Sequence, residues 1–553
     1  MPQRPEHRFV LLIRHFFDRF FDAESLSPQG DPHVNVTQTL GILAVPSAFF
    51  VLVCRPLGLW GWDLVAVRYL FLSISMIVMG FIMVFEWDAL FPDRRDYQIL
   101  TPLPLRLSSL FLAKTVALGI FLSIFLVDVN FFGVLFWPGI DSGRNLLNLL
   151  GAHVAAMLAG GLFAALSIGA LQGVLITVLS GKAYRRVSAT LQTLLMAGLV
   201  MLLFLTPMTG AAIERLAKSG SPLIYYFPGY WFIGLYERMR PATHDAVLLR
   251  LGSLAVRGLW CAGGLFAATY LPFYRRHARK MLETPEPSPP GSGRFAAWAG
   301  SVLGRTLLGH PTESGVFHFI GQTMRRSVKH RLFLATYGGF GAALAVMTLR
   351  SDQSGLLRLS LTLSFVLVSG LRAAFNFPSE LRANWAFQIT ETSDVQGYLT
   401  ATRKWIVLCA VLPLFALLAP MEFACFRWTA ALFHLGFGIA LSVLLMEIMF
   451  FDFRKVPFTC SHLPGKVNLV GLSVLYILGF TTYSSTMADL ESWLGGMPVA
   501  AALFFAAAAS ACWLLNRRRR RSSESWYGET SRAASLDYDD PGDPVVRTLG
   551  ITQ

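Results

Sequence analysis

The chain has 553 residues, of which 54% are apolar and 14% charged. A soluble protein carries about 25% charged residues, so most side chains here face something other than water. The net charge of +14 does not point to nucleic acid: the basic residues sit in short loops between apolar runs, where they orient helices, and no basic stripe is interleaved with stacking aromatics.

The first predicted element is amphipathic. Phe9, Leu12, Ile13, Phe16, Phe17 and Phe20 recur at helical spacing, with Arg8, Arg14, Asp18 and Arg19 opposite. That pattern describes a helix lying in a membrane interface. The charges within Arg8–Phe21 and the lack of a cleavage-type tail argue against a signal peptide. Pro28, Gly30 and Pro32 then break the chain.

Apolar stretches follow at 36–54, 66–86, 114–136, 152–179, 189–212 and 252–274, and again at 332–349, 356–375, 404–424, 428–451, 467–488 and 497–515. Each is long enough to cross a hydrocarbon core. Continuous runs such as Leu194–Leu205 exclude the alternating strands of a barrel, and lipid leaves helices as the other solution. Between the two sets, Glu283–Gly293 (ETPEPSPPGSG) reads as a linker. Next comes a second amphipathic segment, with Val316, Ile320, Met324 and Val328 in one stripe and Arg325, Arg326 and Lys329 off it.

The expected fold is therefore an all-α polytopic membrane protein with about twelve transmembrane helices in two parallel six-helix repeats, each preceded by an interfacial helix. The expected divisions are 1–282 for the first half, 283–311 for a cytoplasmic linker, 312–516 for the second half, and 517–553 for a basic, then flexible, tail. The basic clusters Arg275, Arg276, Arg279, Lys280 and Arg517–Arg521 place both termini in the cytoplasm of a bacterial inner membrane. The aromatic run Tyr225–Phe232 (YYFPGYWF) is expected in the outer interface.

The loop after the second span is unlike a simple connector. It reads Glu86-Trp87-Asp88-Ala89-Leu90-Phe91-Pro92-Asp93-Arg94-Arg95-Asp96-Tyr97 and runs on through Leu103-Pro104 to Ala113-Lys114. Its counterpart in the second half holds Phe377-Pro378-Ser379-Glu380-Leu381-Arg382-Ala383-Asn384-Trp385, then Ala401 to Lys404. Both give Phe-Pro, charges, an aromatic residue and a Lys opening the next span. The bland alternative is two ordinary loops sharing membrane-edge chemistry.

The Phe91–Lys114 stretch resembles the first cytoplasmic loop of permease subunits of ABC-2-type exporters. The resemblance is specific over about 25 residues; residues 377–404 fit more loosely, lacking the Leu-Pro. It implies a coupling helix docking on a separate ATPase subunit, two copies per chain, with Phe91, Arg94, Arg95, Tyr97, Phe377, Glu380, Arg382 and Trp385 as contacts. Two six-span halves in one chain depart from that family's usual one-half subunit. The sequence contains no Gly-x-x-x-x-Gly-Lys-Ser/Thr phosphate loop; Gly181-Lys182 and Gly465-Lys466 lack the upstream Gly and the hydroxyl. The chain is accordingly expected to be a non-catalytic transport subunit without a cofactor of its own, ATP being bound by the partner, and to move a substrate the sequence does not specify.

Charged side chains within spans are functional suspects. Asp128 in the third span and Arg257 in the sixth could pair, and Glu447 lies about a turn and a half from Asp452. Helix packing or snorkelling is the plainer reading of each, and His153 and His434 read as packed histidines rather than proton relays. Gly160, Gly161, Gly169 and Gly173 resemble a small-residue packing seam. Cys460 and His462, in the turn 454–466, lack the companion pair of a zinc site. The scattered cysteines imply no disulfide framework. A twelve-span secondary transporter is the first rival reading and a polytopic membrane enzyme the second.

Overall fold

The computed structural model describes residues 5–21, 64–87, 107–136, 146–179, 181–240, 245–283, 308–350, 355–377, 379, 395–451, 453, 456–458 and 469–536. The expected first span, 36–54, lies outside them. Among the described residues, ten helices are long and apolar enough to cross a membrane, as continuous apolar runs require. The chain divides into two compact units, Met1–Ser288 and Pro289–Gln553, and the boundary falls inside the proline-rich linker segment.

In unit 1, α1 (Pro5–Phe21) is followed by α2 (Leu64–Phe85), α3 (Leu107–Leu135), α4 (Leu146–Val178) and α5 (Gly181–Lys218). A 3-10 turn (Pro222–Tyr226), the short α6 (Pro228–Arg238) and α7 (Ala246–Glu283) complete it. α2 is the central helix, 83% of its most apolar window being buried, against 22–39% for the other candidate spans of this unit. The glycines of α4 are the reason neighbours come so close. A Cβ on Gly161 would strike Leu126, with Ser75 Oγ 2.9 Å away, and one on Gly169 would lie 2.7 Å from the Phe266 ring. The row is therefore a packing seam.

The aromatic segment 222–238 is more ordered than its composition suggested. Pro222 and Pro228 each open a helix, where a missing N–H costs nothing. Tyr230, Phe232, Ile233 and Tyr236 are buried against Phe71, Met157 and Leu251. α6 approaches α7 backbone to backbone: a Cβ on Gly234 would lie 2.5 Å from Gly252 N and 2.6 Å from Leu248 O.

In unit 2, α8 (Pro311–Arg326), α9 (Val328–Leu349) and α10 (Gly355–Ala374) precede α11 (Val395–Ile406). A π-turn at Val407–Val411 joins α11 to α12 (Leu412–Cys425), and α13 (Trp428–Met449), α14 (Leu469–Leu494) and α15 (Pro498–Leu536) follow. Here α10 is the most enclosed of the candidate spans, 61% of its window being buried. α15 continues as helix to Leu536, into the segment expected to form the tail. The run Arg517–Arg521 consists of good helix formers and gives no reason to stop.

Candidate functional site

α2 and α10 each lead into one of the two loops singled out in the sequence, and the structure shows how those loops are anchored. At the end of α2, Glu86 and Trp87 are buried, 2% and 0% exposed. Trp87 Nε1 donates to Ser188 Oγ of α5 at 2.7 Å. Gln172 of α4 donates to the Trp87 carbonyl, and Gln192 of α5 donates to the Val84 carbonyl at 3.0 Å. These amides satisfy carbonyls that a helix end leaves open. On the returning side, Lys114 of α3 is buried, and its ammonium lies 5.8 Å from the ring centre of Phe16 on α1. Burial pushes the Glu86 carboxyl up to about 8, with the Lys114 charge opposing. Phe91, Arg94, Arg95 and Tyr97 lie outside the described residues.

The second loop base is built differently. Phe375, fully buried, sits among the rings of Trp405, Phe450 and Phe458, with centroids 5.2–6.1 Å away. Arg372 donates through Nε to the Met449 carbonyl at 2.9 Å and through Nη1 to Asn376 Oδ1 at 2.8 Å. Phe377 stacks edge-on against Phe333 at 4.6 Å, and its carbonyl accepts from His330 Nε2 at 3.1 Å. Ser327 Oγ lies 2.7 Å from Nδ1. Phe458 plugs this end of the unit: its N–H donates to Phe375 O at 3.1 Å and its carbonyl accepts from Ser379 N at 3.0 Å. Those two bonds hold Phe458 at φ 68, a region bulky residues rarely enter. Phe458 therefore caps the helices at this end, and Cys460 and His462 lie outside the described residues. Lys404 Nζ donates to Glu313 Oε2 of α8 at 2.6 Å. Glu380, Arg382 and Trp385 also lie outside the described residues.

The three suspect charges within spans separate. Asp128 and Arg257 are not brought together. Asp128 Oδ2 is buried with no hydrogen-bond partner, on a face of α3 shared with Ile124, Val127 and Phe131. Arg257 is exposed, and its Nε donates to the Ser253 carbonyl at 3.3 Å. Glu447 is fully buried and held by Arg403 of α11 and by Arg519 of α15, whose Nη1 lies 3.2 Å away. Arg403 also donates to Asn516 Oδ1 at 2.9 Å. Such a carboxylate clamps three helices together at the loop end of unit 2.

Two buried polar clusters escaped sequence reading, both at the end of a unit opposite its loop. In unit 1, Arg68 Nη1 of α2 donates to Glu237 Oε1 of α6 at 2.6 Å. The guanidinium also lies 4.4 Å from the Tyr236 ring centre, and Arg240 reaches the same carboxylate at 3.2 Å. His153 of α4 is edge-on to Phe71 and Tyr236, both at 6.4 Å. In unit 2, His434 of α13 lies between Glu491 of α14, 2.5 Å from Nδ1, and Ser360 of α10, 2.7 Å from Nε2. Glu422 Oε1 of α12 lies 3.5 Å from the same Nε2. The available signal was position: Ser360, Glu422, His434 and Glu491 each lie within two turns of a helix end.

Among the described residues, no group of three or more His, Cys, Asp or Glu side chains is placed to hold a metal ion. Comparison with family models, curated proteins and solved structures finds no match.

Proposed function

We propose that the chain is the membrane-spanning permease of an ATP-driven exporter of the ABC-2 type, built as two six-span halves that each present a docking loop to a separate ATPase subunit in the cytoplasm. The observation that carries this reading is the way each loop is mounted. In both units the loop leaves the most enclosed candidate span, α2 or α10. It returns into a helix whose lysine engages the preceding interfacial helix: Lys114 over Phe16 of α1, Lys404 on Glu313 of α8. A push on such a loop acts on the helix around which the others are arranged, while the amphipathic helix braces its far side. Coupling of this kind needs rigid transmission between two arrangements and no chemistry in the permease itself.

The test is assembly. Gentle-detergent purification is expected to recover a separate ATPase, two copies per chain, with no ATP hydrolysis by the chain alone. Truncating a buried aromatic anchor costs 2 kcal/mol or more, about 30-fold in affinity, and rim charges cost less. Tyr97→Ala and Trp385→Ala are expected to lower co-purified ATPase per inserted permease more than Arg94→Ala, and Arg94→Glu more than Arg94→Ala. Unchanged ratios in both aromatic variants would remove the coupling role. Robust ATPase activity in the isolated chain, or transport without any ATPase, would overturn the reading.

A further inference from the structure

Ser360, Glu422, His434 and Glu491 come from four different helices and are 1%, 1%, 1% and 3% exposed. They lie three to six residues from the ends Gly355, Cys425, Trp428 and Leu494, roughly 5–9 Å deep at 1.5 Å per residue. Two carboxyl groups are therefore buried beside a single imidazole. Glu422 Oε2 and Glu491 Oε2 are both buried without a hydrogen-bond partner.

Charge balance decides what the pocket holds. An imidazolium neutralises one carboxylate, and His434 Nδ1 lies within hydrogen-bond reach of Glu491 Oε1. The second carboxyl, Glu422, stands 3.5 Å from Nε2, beyond hydrogen-bond range, while Ser360 takes that nitrogen. Among the described residues, the neighbouring elements offer no further cation to the pocket. On α10, Arg358 faces outward to Asp489 of α14 at 4.0 Å, where Asp489 is 76% exposed. Arg427, just before α13, is exposed. Tyr483 of α14 stacks on Phe365. α15 meets α13 with Phe504 and Phe505, and Cys409 in the π-turn is exposed. A second ionised carboxylate would be a buried charge without a counter-charge, which proteins avoid by keeping the group protonated.

We propose that Ser360, Glu422, His434 and Glu491 form a buried proton-binding site in unit 2, with Glu422 carrying an exchangeable proton beside a fixed His434–Glu491 ion pair. The site lies one to two turns below the membrane end opposite the docking loop, so it takes its proton from the solution on that side. It goes beyond the coupling reading, which gives these groups no part.

The test uses the full chain in lipid nanodiscs and infrared spectroscopy. A water-exposed glutamate has lost its proton by pH 7. The spectrum of the unaltered chain minus that of Glu422→Gln is expected to show a protonated-carboxyl carbonyl stretch at pH 7 that shifts in D2O. Other protonated carboxyls, Glu86 among them, cancel in the difference. His434→Gln removes the cation and is expected to raise the intensity about twofold, since both glutamates must then hold protons. Should Glu422→Gln not fold, Glu491→Gln is expected to remove the protonated-carboxyl signal, because His434 then neutralises Glu422. Identical spectra for the unaltered chain and the glutamine variant between pH 5 and 9, or a band insensitive to D2O, would overturn the proposal. Glu422→Gln is expected to keep its co-purified ATPase, so failure of the proton site and failure of the coupling reading are separable.

Discussion

The two units solve one problem with different counter-charges. At the end opposite its loop, each buries a carboxylate within a few residues of a helix end. Unit 1 neutralises Glu237 with Arg68, whose guanidinium stays charged at any pH a protein survives. Unit 2 sets Glu422 and Glu491 against His434, a side chain that ordinarily titrates near neutrality. The first arrangement is a fastening indifferent to pH; the second is open to it. Burial alone does not distinguish a structural ion pair from a titrating site. The identity and number of the cations do.

The largest expected effect tests the fastening. Glu237→Ala removes the carboxylate facing a buried guanidinium, a change expected to cost about 3–5 kcal/mol. It would be read as loss of inserted, folded protein and as a lowered unfolding midpoint, equally at pH 6 and pH 8. A loss that varied strongly with pH would make the two units alike after all. The next effect is smaller. Gly234→Ala drives a methyl into the α7 backbone and is expected to cost about 1–3 kcal/mol. Gly264→Ala, with nothing within 4 Å, is expected to be neutral or to stabilise by up to about 1 kcal/mol. Equal midpoints for the two variants would mean that α6 is not held against α7. The last effect is gradual, read per pH unit, and concerns the loop bases. Glu86 holds its proton from its ordinary 4.5 up to about 8 in the folded chain, so the folded state binds more protons than the unfolded state across that window. Stability should therefore fall as pH rises through it, by at most about 1.4 kcal/mol per pH unit. Glu86→Gln is expected to flatten that slope. A slope unchanged by Glu86→Gln would mean that Glu86 does not carry the pH dependence.

Much of the helix layout was legible because it is written in local patterns. Uninterrupted apolar runs marked the candidate spans, and the 3.6-residue recurrence of Phe9, Phe16 and Phe20 or Val316, Ile320 and Met324 marked α1 and α8. The sites were less legible because they are made across helices. Arg68 and Glu237 are 169 residues apart, and no spacing rule joins them. Asp128 and Arg257 looked like a pair by depth, but depth does not set azimuth, and the structure leaves them apart. Glu447 was noticed as an intramembrane charge, yet its partners were read otherwise, Arg403 within the closing motif of the second loop and Arg519 within the basic run after the last span. His434 was read as a packing residue because the two glutamates that give it company lie on other helices. The aromatic run 225–232 was expected from composition to lie in an interface, but its helix depends on two prolines acting as starters and on the glycine contact with α7.

The π-turn at Val407–Val411 has a geometric consequence for the third span of unit 2. Arg403, near its beginning, reaches Glu447 of α13, and Glu422, near its end, reaches His434 of the same helix. At about 100° per residue, the 19 positions from Arg403 to Glu422 would leave the two side chains about 100° out of phase in an uninterrupted α-helix. A wide turn absorbs about one residue and brings them back onto one azimuth. The bulge thus works as a phase corrector, letting a single helix present a cation at one membrane surface and an acid near the other to the same neighbour.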